Sequence, residues 1–268
     1  MEAAIVATKR VRADTLLVDQ GLAESRERAQ ALILAGVVFQ GTRRVDKAGD
    51  RLSADAPLRV TGDPMPYVGR GGIKLASALD RFGIDPSGLT ALDVGASTGG
   101  FTDCLLQRGA RRVYALDVGR GQLHWRLRQD PRVSLLEGVN ARYLTTAAVP
   151  ERIDLATVDV AFISLRLVVP PVRLAAAPGA WVLLVKPQFE VGRGEVGTGG
   201  IVRDPEQHRR VLAQALALAA AEGLTAAGLI ASPLTGAEGN REFLLHLRAG
   251  GVPVVAAEAA RWIEEATA

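Results

Sequence analysis

A hydrophobic strand that runs straight into a glycine-rich turn and a helix, Leu92-Asp-Val-Gly-Ala-Ser-Thr-Gly-Gly-Phe101, constrains this chain more than any other segment. Glycine lets the backbone take left-handed dihedrals and approach a ligand closely. Strand, glycine loop and helix in that order form the opening unit of a doubly wound α/β sheet, which binds ligands at the carboxyl ends of its strands. Around the loop, strand and helix signals alternate. Strands are expected at Ala91–Val94, Val113–Asp117, Val133–Glu137, Ile153–Asp159, Trp181–Lys186, Thr225–Ala231 and Glu242–Arg248. Helices are expected near Ile73–Phe82, Gly100–Arg108, Leu123–Gln129, Leu165–Ala176, Pro205–Glu222 and Ala257–Glu265. That alternation predicts a doubly wound parallel sheet.

The region before it is organised differently. Asp14–Gln20 reads as a short helix stopped by Gly21, and Ser25 as the N-cap of a second helix, Arg26–Ala35, stopped by Gly36. Val37–Gly41 and Pro57–Val60 read as strands of a small ribbon. Gly62-Asp-Pro-Met-Pro66 has linker composition. The expected organisation is a small domain over residues 1–62, a linker over 63–70 and a large domain over 71–268.

Composition narrows the chemistry. The single cysteine, Cys104, excludes an intramolecular disulfide and a multi-cysteine zinc site, and the three histidines lack metal-ligand spacing. No metal is expected. No stretch reaches the roughly 18 apolar residues of a membrane span, and the Met1 segment lacks an apolar signal core. The expectation is a cytoplasmic protein with no membrane contact and no inferable protein partner. Net charge is only +3, yet basic residues cluster: Lys9, Arg10 and Arg12; Arg26 and Arg28; Arg43, Arg44 and Lys47; Arg108, Arg111 and Arg112; Arg120, Arg126 and Arg128. Several clusters in the first 50 residues favour a polyanionic partner.

The glycine loop is spaced Gly-x-x-x-Gly-Gly, not the Gly-x-Gly-x-x-Gly of dinucleotide sites, and Asp117 ends the next strand where it can accept bonds from ribose hydroxyls. In the form Asp-x-Gly-x-x-x-Gly-Gly-Phe it resembles the S-adenosylmethionine (SAM) sites of class I methyltransferases, especially the FtsJ-type ribose methyltransferases. The resemblance implies that Asp93, Gly95, Ala96, Ser97, Thr98, Gly99, Gly100 and Phe101 surround SAM. Asp117 would hold its ribose and Asn140 would lie beside the adenine.

Lys74, Asp159, Lys186 and Glu242 each fall where strand, loop and helix meet. A ribose hydroxyl ionises far above neutral pH, so a poised base helps transfer by about 10²–10⁴-fold. Lysine serves only when neutral, which a second cation nearby and partial burial favour. Singly, a lysine at a strand end is an ordinary solvated residue, and an aspartate there an ordinary helix cap.

Five segments then carry a closer resemblance: Tyr67-Val-Gly-Arg-Gly-Gly-Ile-Lys-Leu75, Gly95-Ala-Ser-Thr-Gly-Gly-Phe-Thr102, Asp117-Val-Gly-Arg-Gly-Gln-Leu123, Phe162-Ile-Ser-Leu165 and Val185-Lys-Pro-Gln-Phe-Glu190. They are similar to the TlyA family of ribosomal RNA 2'-O-methyltransferases, historically labelled hemolysins. The resemblance spans nearly the whole chain. It implies a Rossmann-like class I SAM-dependent methyltransferase fold (α/β), with Lys74, Asp159, Lys186 and Glu242 as catalytic tetrad. It implies a cytidine of ribosomal RNA as target, with ribosomal RNA or ribosomal subunits as partner. Where some members carry Arg-x-Trp-Val, this chain has Met65-Pro-Tyr-Val68.

The first 50 residues supply a second resemblance. Arg12-x-Asp14-x-x-Leu17, Gly21-Leu22-x-x-Ser25-Arg26-x-x-Ala29, Ile33-x-x-Gly36-x-Val38 and Gly41 resemble the alpha-L RNA-binding domain of ribosomal protein S-four. That implies a small α+β RNA-binding domain in which Arg12, Arg26, Arg28, Arg43 and Arg44 face structured RNA. Two alternatives stay open at this point: a membrane-active hemolysin, and an RNA-binding protein with a non-catalytic methyltransferase-like domain.

Overall fold

The computed structural model describes residues 10–34, 36–61, 66–192, 194–236 and 238–268. The expected linker stretch Gly62–Met65, Lys9 and the helix end at Ala35 lie outside the described residues. The chain divides into two compact units, Met1–Pro66 and Tyr67–Ala268.

In the first unit, β1 (Arg10–Arg12) leads directly into α1 (Ala13–Asp19), followed by α2 (Arg26–Leu34), β2 (Val38–Gln40), β3 (Arg43–Arg44), β4 (Arg51–Ser53) and β5 (Leu58–Val60). Gly21 ends α1 at φ +69°, its N–H bonded to the Val18 carbonyl at 2.9 Å. Ser25 caps α2 as expected: its Oγ accepts the Arg28 N–H at 3.2 Å. The ribbon also forms, with β2 antiparallel to both β5 and β3. The β1–β4 pair was not legible in the sequence. Leu16, Leu17, Leu32, Ile33, Val38, Val45 and Leu58 close a small core beneath the helices.

The second unit carries α3 (Gly71–Phe82), β6 (Thr90–Val94), α4 (Gly100–Gln107), β7 (Arg112–Asp117), α5 (Trp125–Gln129), β8 (Val133–Glu137), β9 (Leu155–Val158), α6 (Val169–Ala176), β10 (Ala180–Val185), α7 (Pro187–Glu190), α8 (Pro205–Ala221), β11 (Leu224–Ala231), β12 (Phe243–Ala249) and α9 (Ala256–Thr267). All seven expected strands appear in one sheet, in the order β11-β12-β10-β9-β6-β7-β8. Successive residues of a strand face opposite sides. Leu92, Val94, Leu183, Val185 and Phe243 pack into one core, and Ala91, Val182, Leu184 and Leu244 into another. Helices therefore cover both faces, and the strands read as nearly unbroken apolar runs.

Two expectations need correction. The sheet is mixed, not wholly parallel: β12 runs antiparallel to both β10 and β11. A parallel return needs a crossover, usually a helix, and no helix occurs among the described residues of 232–242. The chain turns back as a hairpin instead. The expected helix Leu165–Ala176 is split into a single 3-10 turn at Leu165–Leu167 and α6. Pro170 and Pro171 lack N–H groups, and proline is best placed in the first helical turn, so the helix starts afresh there.

Candidate active site

The carboxyl edge of the sheet is built around β6. Gly95 and Ala96 donate their N–H groups to the Leu116 carbonyl at 2.8 and 3.0 Å, which binds the glycine loop to the end of β7. Gly95 sits at φ +85°, and a Cβ there would lie 2.3 Å from the Asp159 carbonyl oxygen. Glycine is thus required where the loop crosses the end of β9. Ser97 is held at φ +49°, a conformation that costs a non-glycine residue energy, and its N–H bonds Asp117 Oδ2 at 2.7 Å. Asp117 Oδ1 accepts the Gly119 N–H at 2.7 Å, so backbone donors on either side fix the carboxylate.

A cleft of about 650 Å³ opens along this edge, lined among others by Gly95, Ser97, Asp117, Asn140, Asp159 and Phe162. Its volume lies in the usual range for a cofactor-sized ligand, roughly 300–1,000 Å³. A second cleft of about 360 Å³ adjoins it, sharing Gly95, Ser97 and Asp159, and adds Arg70, Lys74, Ala96, Thr98, Gly100, Phe101 and Thr235. Of the residues expected around SAM, only Asp93 and Gly99 line neither cleft. Asp93 faces the α4 side of the sheet, fully buried, and accepts hydroxyl bonds from Thr102 at 2.7 Å and Thr157 at 3.0 Å. Burial pushes its carboxyl up to about 7, and the Asp159 charge adds to this. Gly99, at φ +103°, leaves room for Leu127, which a Cβ would meet at 2.2 Å. Both residues shape the loop from beneath. Asn140 lines the larger cleft and also caps a short turn, accepting the Arg142 N–H at 3.0 Å.

The four expected catalytic residues form two ion pairs. Lys74, in the first turn of α3, pairs with Glu242, and both side chains are nearly inaccessible. Lys186 follows β10 and pairs with Asp159, which follows β9, at 2.5 Å. That contact is an ion pair without a well-directed hydrogen bond, because Asp159 Oδ1 has no partner of good hydrogen-bond geometry. Each lysine has its own carboxylate. Like-charge crowding of Lys186 by Lys74 is therefore not the dominant contact of either amine. The antiparallel β12 explains Glu242: Phe243 pairs with Val185, so the start of that strand lies beside the end of β10. In a parallel strand the same position would fall on the opposite edge.

Several lining residues were not singled out from the sequence. Arg70 donates to the Thr235 carbonyl at 3.2 Å beside the smaller cleft, and nothing in the pattern around Thr235 marks it. Phe162 is 91% exposed and held at φ +62°, its ring 5.1 Å from that of Phe189. A bulky residue in the left-handed region with an exposed ring marks a site under constraint.

In the first unit the expected RNA-facing arginines divide. Asp14 is fully buried and accepts both Arg12 Nε and Nη2 at 2.9 Å, Arg26 at 3.2 Å and Gln30 at 3.0 Å. The Arg12 guanidinium foremost holds its carboxyl well below the usual range. Arg12 and Arg26 thus anchor the two helices, and still leave 42% and 55% of their side chains accessible. Arg28 is half-buried in α2. Arg43 and Arg44 line a small cleft of about 230 Å³ with Arg10 and Arg51, and Arg44 pairs with Asp46 at 2.6 Å. Arg10 and Arg51 come together through the unforeseen β1–β4 pair.

No helix among the described residues is long and apolar enough to cross a membrane, and no group of acidic, histidine or cysteine side chains there could hold a metal. Residues 67–249 match the family of FtsJ-like methyltransferases. YqxC of Bacillus subtilis, named for a proposed rRNA methyltransferase activity, is 51% identical over 242 residues, 90% of this chain and 86% of that one. The Mycobacterium tuberculosis protein named 16S/23S rRNA (cytidine-2'-O)-methyltransferase TlyA is 47% identical over 242 residues, 90% of each chain. A Streptococcus thermophilus structure under the hemolysin label superposes with a TM-score of 0.75 at 41% identity, over 97% of this chain and 96% of that one. With the glycine loop, the cleft-lining Asp117 and the paired Lys74–Glu242 and Asp159–Lys186 on one sheet edge, the chain belongs to the TlyA/hemolysin A family, a family of SAM-dependent FtsJ-like methyltransferases.

Proposed function

We propose that this protein transfers the methyl group of SAM to the ribose 2'-hydroxyl of a cytidine in ribosomal RNA. The observation that carries the reading is the pair of ion pairs flanking one cleft: Lys74 and Asp159 line it, and each is joined to the other half of the set. When bound, SAM supplies an electrophilic methyl group that needs no further activation. The loop Gly95–Phe101 and the cleft beside Asp117 have the size and donors to hold it. What the chain must add is an oriented nucleophile. Asp159 fixes the Lys186 amine, and Lys186, once it has given up its own ammonium proton to solvent, takes the hydroxyl proton as the ribose oxygen engages the methyl carbon. Glu242 holds Lys74 at the other wall, where the ammonium steadies the ribose and its phosphate. Phe162 offers an exposed aromatic face at the cleft mouth, a surface on which an unstacked base can lie. The small unit, with its arginine-lined cleft, supplies affinity for structured RNA, the term that depends most steeply on salt.

The cytidine target and the ribosomal substrate are supported by the TlyA relative's name, at 47% identity. Mapping 2'-O-methyl groups in ribosomal RNA from cells with and without the protein tests both, because a lost modification names nucleotide and subunit together. In purified form, Lys186→Ala should lose methyl transfer by orders of magnitude while SAM and RNA affinities persist, and Lys186→Arg should not restore it, because a guanidinium does not accept a proton. Turnover near wild type in Lys186→Ala would remove the lysine from the chemistry. Lysis of erythrocytes by purified protein without SAM would favour the hemolysin alternative.

A further inference from the structure

The turn that follows β10 makes more contacts with the site than the lysine alone. Lys186 is the extended N-cap residue of the short α7, and Phe189 and Glu190 lie three and four residues on, within its single turn. Each meets a different part of the segment after β9. Lys186 pairs with Asp159 at 2.5 Å, and the Phe189 ring packs 5.1 Å from Phe162. Glu190 accepts Ser164 Oγ–H at 2.6 Å and the Leu165 N–H at 2.8 Å, one bond per carboxylate oxygen. Ser164 Oγ in turn accepts the Arg166 N–H at 3.4 Å, which starts the 3-10 turn. Glu190 lines neither the cofactor cleft nor the lysine cleft. It sits on a separate cleft with Arg166, Val191 and Gln214. Burial raises its carboxyl above the ordinary range, so placing it there costs the fold something. That cost serves one visible end: the segment from Asp159 to Leu165 is held at one end by the N-cap residue of α7, Lys186, and at the other by its last residue, Glu190. Between those ends lies Phe162, at φ +62°.

We propose that Glu190 is a positioning residue for methyl transfer, acting through the Asp159–Leu165 segment to set Asp159 and Phe162 and touching neither cofactor nor RNA. This rests on the methyltransferase reading, so its test has one arm that does not depend on activity. Hydrogen exchange of the full chain should show residues 160–168 exchanging about 10-fold faster or more in Glu190→Ala, with the strands of the sheet unchanged. In Glu190→Gln the amide can accept the Leu165 N–H and donate to Ser164 Oγ, so exchange there should stay near wild type. Turnover at saturating SAM and RNA, measured well below the melting temperature, should fall about 30–100-fold in Glu190→Ala, the scale of a roughly 1 Å misplacement. In Glu190→Gln it should fall less than about 3-fold. Three results overturn the proposal: unchanged exchange in 160–168, turnover of Glu190→Ala near wild type, or Glu190→Gln as impaired as Glu190→Ala. If Glu190→Ala does not fold, Ser164→Ala replaces it, removing one bond and keeping the carboxylate. Unchanged exchange and turnover in that variant overturn the proposal equally. Wild-type protein without methyl transfer sinks the functional reading instead, and the exchange arm alone then decides whether Glu190 holds the segment.

Discussion

Removing Glu242 should expose how the site and the stability of its domain are joined. The carboxylate is 3% exposed and its partner Lys74 10% exposed, so Glu242→Ala leaves a lysine ammonium in a cavity with no counter-charge. Breaking a buried pair from one side typically costs about 3–5 kcal/mol, mostly the desolvation of the charge left behind. For a domain of this size, each kcal/mol lowers the melting temperature by about 2–4 °C, giving a loss of roughly 6–20 °C. The double variant Lys74→Met/Glu242→Leu removes both charges and refills the volume, and should recover most of that loss. It should nonetheless be inactive, because it keeps packing and discards the lysine. The assay is tryptophan fluorescence during thermal and urea unfolding. All three tryptophans, Trp125, Trp181 and Trp262, belong to the large unit, so the signal reports that unit alone. A single variant melting within about 2 °C of wild type would show that the pair is solvated, and the stability argument would fail. A double variant as unstable as the single one would put the cost in packing, not in charge.

Asp117→Ala should weaken SAM binding by about 1–3 kcal/mol, seen by calorimetry, since two ribose hydroxyls lose their acceptor; equal affinity would move the ribose elsewhere. Deleting residues 1–62 should abolish binding to structured RNA and leave SAM affinity intact, and filter binding at rising salt should show the intact protein losing affinity steeply. Asp93 and His246 should oppose each other in acid. Burial holds the folded Asp93 carboxyl at about 7 against an ordinary 3.8, so its contribution to stability falls as pH rises from about 4 to 7. Burial, helped by Arg248, pushes His246 down to about 4 from 6.5, so its contribution rises between those values. Asp93→Asn should therefore show a melting temperature that climbs more steeply with pH over that window than wild type does. Parallel profiles would contradict the assignment.

The sequence announced the strands because they are buried on both faces, and runs such as Trp181–Val185 leave little choice of state. It announced the glycine loop because Gly95 and Gly99 occupy positions where other residues would collide. Direction was harder. Nothing within Phe243–Ala249 says which way it runs, and only the missing helix before it separates a hairpin from a crossover. Pairing was harder still: Lys74, Asp159, Lys186 and Glu242 were legible as four positions, but that each lysine has its own carboxylate depends on side chains from four separate segments. Asp93 was legible by its place in the loop motif, but its buried partners Thr102 and Thr157 come from α4 and β9 and were not. Arg12 and Arg26 were legible as surface cations, but not as anchors on one buried acceptor, because Asp14 resembles any exposed aspartate at the start of a helix.

Lys74 and Glu242 are 168 residues apart along the chain, and they meet only because the last hairpin inserts its returning strand beside β10. Contacts of such separation are slow to form, since the intervening chain must already be ordered before the closing pair repays its loss of freedom. During synthesis the cofactor loop and Lys186 leave the ribosome well before Glu242 does. A nascent chain can therefore fold its glycine loop while Lys74 still lacks its counter-ion. Under the proposed mechanism, competence for methyl transfer then arrives in one late step, when the hairpin closes, and an unfinished chain carries at most a cofactor pocket.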